Sequence, residues 1–81
     1  MALQAERLPI GCFVDTADGV ELGQVQEVHG EFFCVGTGES ETWFHQDVTD
    51  EVNAGRLILI LESNEVDAHA VLPPPLRHAR T

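Results

Sequence analysis

The hydrophobic positions of this chain gather into five short groups, CFVDT, VELGQVQEV, EFFCVG, TWFHQDV and RLILILE, each rich in Val, Ile, Leu, Phe or Trp. Brief β-branched and aromatic runs bounded by turn residues predict strands. The separators are Ala17-Asp18-Gly19, His29-Gly30, Thr37-Gly38-Glu39-Ser40 and Asn53-Ala54-Gly55, and each offers a glycine where a tight reversal needs positive φ. Before residue 63 no segment keeps a helical apolar period over the roughly 11 positions such an assignment needs. The pattern predicts an all-β fold: a small antiparallel β-barrel of five or six strands with a short C-terminal helix or extended tail. Closure would hide edges that otherwise pair with other chains.

Alternation within the strands divides their side chains. Phe32 and Cys34 share one face while Phe33 and Val35 share the other, and Leu57, Leu59 and Leu61 oppose Ile58 and Ile60. Both faces are apolar, more than one small barrel interior can use, so part of the outer face is expected to be covered by the tail or by a second chain. Of the adjacent Trp43 and Phe44, one should fill the interior and the other look outward. The outward ring would anchor an interface or lie under residues 64–72. The expected interaction residues are therefore Trp43, Phe44, Phe33, Ile58 and Ile60. Val25 and Val28, three apart, can face the same side only past a bulge or bend, and Gly23 is placed there. Gly11, Asp18, Gly19, Gly23, Gly30 and Gly55 form the expected turn and bend set.

After Ser63 the chain changes character. SNEVDAHAV predicts a short helix capped by Asn64, with Val66 and Ala70 stacked four apart, and Pro73 stopping it. LPPPLRHART favours an extended polyproline conformation. The expected organisation is a domain over residues 1–62 and a tail over 63–81.

At 81 residues there is room for one small core. A core of this size seldom supplies more than roughly 3–5 kcal/mol, so such a chain often leans on a disulfide, a metal or a second subunit. Net charge is −10, all of it on residues 1–62, where 12 acids face Arg7 and Arg56. Such a surface repels a phosphate backbone, so nucleic acid is excluded as an expected partner. The longest apolar run, LILIL, is far short of the roughly 20 residues a helical membrane crossing needs. MALQAERLPI is too short and too charged for an export segment, so Cys12 and Cys34 are expected as free, buried thiols in a reducing cytoplasm.

The chemistry of DTADGVELGQV excludes a calcium loop. With Gly19 in the sixth position of an EF-hand, Val14 would be first and Val25 twelfth, where oxygen ligands are required. The sequence contains no lysine, which rules out a GxxxxGK[ST] phosphate loop and Schiff-base chemistry. VGTGES resembles a phosphate loop but places Glu41 at the third glycine position and reads as a hairpin loop. Cys12 and Cys34 stand beside Phe13 and Phe33, a packing environment. His29, His45, His69 and His78 show no metal-ligand spacing, and His45 with Asp47 reads as surface. No catalytic, cofactor or metal residues are expected.

LPIGCFVDTADGVELGQVQEVHGEFFCV followed by TWFHQDVTDEVNAGRLILILE resembles the PRC-barrel superfamily, in particular its small stand-alone bacterial domains of unknown function. The resemblance covers about residues 8–62 and rests on Ile10-Gly11, Asp18-Gly19, Leu22-Gly23 with Val25 and Val28, Phe32-Phe33, TWF and GRLIL. Gln24 and His45 stand where such domains often carry lysine and proline. The resemblance implies a compact β-barrel that grips another protein, as in the photosynthetic reaction centre H subunit and a ribosome maturation factor. Two functions follow. One is a non-enzymatic interaction module that binds itself as a homodimer or higher oligomer. The other is a small-ligand or metal-ion-binding regulator using Asp15, Asp18 and Glu21 or the histidines. Solution mass and thermal shift with calcium or zinc distinguish them.

Overall fold

The computed structural model describes residues 3–36 and 40–72. Six strands form one sheet: β1 (Phe13–Asp15), β2 (Glu21–His29), β3 (Phe32–Gly36), β4 (Glu41–His45), β5 (Thr49–Asn53) and β6 (Arg56–Leu59). Their order is β4-β3-β2-β1-β6-β5. Neighbours are antiparallel except β1 and β6, which run parallel with Val14 opposite Leu57. The sheet is therefore mixed, which corrects the antiparallel expectation. Residues 16–55 lie between these two strands and supply the long connection a parallel pair requires.

The inward residues follow from alternation. Val14, Val25, Phe33, Val35, Phe44, Leu57 and Leu59 form the centre of one buried cluster, with Ala5, Leu8, Cys12, Val48 and Leu61 around it. No strand pairing joins β4 to β5 among the described residues. A 3-10 turn, Gln46–Val48, bridges the two halves of the sheet instead. Gln46 N–H donates to Glu31 O and Ile60 N–H to Val48 O, each at 2.8 Å. The N-terminal segment is pinned to the same corner, where Leu3 N–H donates to Thr49 Oγ1 at 2.7 Å and Ala5 N–H to Gln46 Oε1 at 2.8 Å. These bonds satisfy polar groups that burial would otherwise penalise, Thr49 being 2 % exposed.

Two irregularities bend β2. Against β3, Val25 pairs with Val35 and Glu27 with Cys34, so Gln26 is the extra residue. The shift turns Val25 and Val28 to the same side: Val25 is fully buried and Val28 packs on the core. The bend required by the valine spacing thus lies at Gln26. Gly23, at φ +140°, serves a second irregularity, where pairing with β1 skips Leu22.

One strand carries little hydrophobic signal. β5, TDEVN, buries only Thr49, and an exposed acidic strand at a sheet edge shows no apolar alternation to read. The last residues of TWFHQDV leave the sheet for the 3-10 turn. Beyond β6 a 3-10 turn, Ser63–Glu65, leads into the four-residue helix α1, Val66–His69. The cap lies on the 3-10 turn and is Glu62 rather than Asn64: Glu62 and Glu65 form a reciprocal capping box, with Glu62 N–H donating to Glu65 Oε1 at 2.9 Å. Residues 37–39 of the third separator and of VGTGES, and the prolines from residue 73 onward, lie outside the described residues.

The β5–β6 hairpin turns on two residues, Ala54 at φ +54° and Gly55 at φ +80°. Positive φ at both positions is the type I′ turn, in which asparagine is preferred first and an alanine Cβ is crowded. Ala54→Asn is expected to stabilise the domain by about 0.5–1 kcal/mol, read as a higher urea midpoint at unchanged slope. A lower midpoint would contradict the turn geometry.

Candidate functional site

The outward side of β1 and β6 combines apolar exposure with a closed charge network. Val14, Leu57 and Leu59 point inward at 0 % exposure, which sends Phe13, Asp15, Arg56 and Ile58 outward, and Ile60 continues the row. Phe13 is 39 % and Ile60 56 % exposed. Arg56 lies 5.0 Å over the Phe13 ring and donates to Asp15 through Nε at 2.7 Å and Nη2 at 3.0 Å, and to Glu21 through Nη2 at 2.6 Å. Stacking and a two-point carboxylate contact hold its planar fork in place.

The electrostatics follow. The Arg56 hydrogen bonds hold the Asp15 carboxyl below its ordinary range, against a smaller opposing effect of burial. Asp15 first, and then Glu21, push Arg56 up in turn. Asp15 therefore ionises more readily folded than unfolded. Its contribution is full above the ordinary carboxylate pKa and is lost as pH falls through the lower folded value. Arg56→Gln should lower the melting temperature most near neutrality, and the gap to the native chain should narrow below about pH 4. A gap constant from about pH 7 to 2.5 would show that the pair contributes nothing.

Asp18 works at the neighbouring turn. It accepts from the Thr16 hydroxyl, from Ser63 N–H at 3.0 Å and from Ser63 Oγ at 2.8 Å, while Thr16 Oγ1 accepts from Val20 N–H. The Thr16 bond and then the Ser63 bonds hold its carboxyl low. Asp18 thus ties the β1–β2 turn to the chain leaving β6. Of the acids considered for a regulatory ligand, Asp15 and Glu21 are engaged by Arg56, and Asp18 by Thr16 and Ser63.

The five expected interaction residues do not gather on one surface. Phe33 and Phe44 are 0 % exposed and pack at 5.8 Å between centroids, and Trp43 is 3 % exposed. Of the two outcomes expected for the outward ring, Trp43 is the outward residue, and it lies buried rather than open at the surface. Residues 70–72 return along β4, where Val71 forms an antiparallel bridge to Trp43. Ile58 is half-buried and Ile60 exposed, on the β6 face described above. Phe13 and Arg56 complete that face and were missed; the alternation of Cys12, Phe13 and Val14 in CFVDT was the signal that could have found Phe13.

His45 sits between two carboxylates. Its Nε2 is 3.0 Å from Glu31 Oε1, and its Nδ1 accepts the Asp47 N–H at 3.1 Å. Nδ1 also lies 3.3 Å from Asp47 Oδ2. The ring caps the 3-10 turn and meets Phe32 edge-on at 5.2 Å, which is a local structural role. Cys12 and Cys34 are buried and form no disulfide, and burial pushes the Cys12 thiol up, away from the nucleophilic thiolate. Among the described residues no group of three or more His, Cys, Asp and Glu is placed to hold a metal ion. A cleft of about 60 Å³ opens beside Leu22, Val35, Phe44 and Val66, and a shallower one of about 200 Å³ beside Gln4, Glu6, Gly30, Glu31 and Gln46. No helix is long and apolar enough to cross a membrane among the described residues.

Comparison with known proteins returns no match to any family model, to any curated protein or to any solved structure.

Proposed function

We propose that this chain is a non-enzymatic protein-interaction module of the PRC-barrel type that associates with copies of itself through the outward face of β1 and β6. The observation that carries this reading is the row of Phe13, Ile58 and Ile60, left outward on a strand pair whose inward residues are fully buried. Apolar side chains concentrated on one sheet face favour a partner that removes them from water. The partner fitting best is a second copy. On a chain of charge −10, two like surfaces repel, but Arg56 offsets one of the two charges of Asp15 and Glu21 and leaves the patch less acidic than the rest of the surface. A two-fold contact places each patch against its twin, so the reduced local charge lowers the repulsion where it matters most.

The barrel reading draws support from the six short strands and from the 3-10 turn that hydrogen-bonds to both halves of the sheet. The proposed location is the cytoplasm, whose reducing conditions suit two buried cysteines held as thiols. Sedimentation velocity over about 1–100 µM is the test: the weight-average mass should rise from one chain towards two, at an affinity typical of a small interface. A mass of one chain throughout would overturn the proposal.

A further inference from the structure

β4 is the outermost strand on its side of the sheet, and its edge is occupied by the chain's own residues 70–72. The contact is a single antiparallel bridge in which Val71 N–H donates to Trp43 O at 2.8 Å. The segment that delivers it is loosely held. From residue 62 to residue 72 no side chain is fully buried, Val66 alone is half-buried, and Leu72 is 86 % exposed. Leu61, at 3 % exposure, is the last residue the core holds firmly. An edge strand offers a row of main-chain groups, and here one added β-residue already engages it.

We infer that the β4 edge is a strand-docking seat, closed in one copy by residues 70–72 and able to take the same segment from a second copy. The occupant follows from what the seat holds. Whatever geometry lets Val71 meet Trp43 within a chain is available to an identical segment arriving from another, and the exchange loses no buried side chain from either core. Val66 and α1 act as the tether, and their shallow packing lets the segment leave while the sheet stays intact. The inference deepens the self-association reading and rests on it only in requiring that copies meet; the β1–β6 face and the β4 edge are separate surfaces.

The seat is tested with a fluorescent peptide of residues 66–72 and the full-length Val71→Pro variant. Proline removes the donating N–H, and Ala70 at ψ 140° already has the extended backbone that a following proline demands. The variant should bind the peptide saturably, and the native chain at least about 10-fold more weakly, because its own segment competes at high effective concentration. A peptide carrying the same proline should bind neither. Absence of binding to the folded variant, or equal binding to both chains, overturns the inference. Amide exchange on the native chain gives a second measurement independent of the variant. The Val71 amide should exchange at least about 100-fold faster than the Val25 amide, and equal protection would mean that the seat never opens separately. Ile60→Asp separates the two ideas, since it should abolish the rise in mass while leaving peptide binding to the Val71→Pro background unchanged.

Discussion

Phe44→Ala is expected to unfold the domain. Phe44 is fully buried, lies against Phe33 and stands at the centre of a single cluster that draws on five of the six strands. Truncating a buried phenylalanine costs about 3–5 kcal/mol, of which the aromatic pair accounts for about 0.5–1.5. A single core of this size seldom supplies more than about 3–5 kcal/mol, so the loss matches the whole stability. Circular dichroism should show no cooperative melt for Phe44→Ala at 25 °C, while Phe44→Leu retains one with a cost of about 1–2 kcal/mol. Protein concentration must be held constant, because association adds to apparent stability. A Phe44→Ala melt within a few degrees of the native chain would remove Phe44 from the core.

Ile60→Asp should break self-association without unfolding the chain. The side chain is 56 % exposed, and the backbone bond from Ile60 N–H to Val48 O is indifferent to it. Stability should change by no more than about 0.5 kcal/mol. At the interface, losing the burial of one isoleucine removes about 2 kcal/mol, about 30-fold in affinity. Aspartate adds an unpaired carboxylate on an already acidic surface, whereas Ile60→Ser separates the two effects and should weaken association by about the 30-fold of the lost burial alone. Equal masses for the native chain and Ile60→Asp in sedimentation would place the contact elsewhere.

Both predictions use information of different origin. The inward position of Leu57, Leu59 and Leu61 and the outward position of Ile58 and Ile60 were legible in RLILILE, because a strand's period of two leaves only two choices. The same rule applied to Trp43 and Phe44 correctly put them on opposite faces, but it left open whether the second face is covered. Coverage depends on which distant segments reach that face, and β4 itself is met at its edge by Val71, 28 residues from Trp43 in sequence. The Arg56 network was equally hidden: Asp15 and Arg56 are 41 residues apart, and only the parallel pairing of β1 with β6 brings them together. β5 was invisible for another reason, since an acidic edge strand has no apolar face to show.

By itself the sequence determined the β-rich character, the places where the chain reverses, the need for a bend between Val25 and Val28, and the exclusion of lysine chemistry and an EF-hand. These are local properties, governed by side-chain alternation, by φ and by which functional groups exist at all. Tertiary structure alone decided the strand order, the mixed direction of the sheet, the burial of Trp43, the assembly of Phe13, Asp15, Glu21 and Arg56 on one face, and the seating of Val71 on β4. Each of these depends on which distant segments become neighbours, and that is settled by packing one small core as a whole rather than by any stretch of chain alone.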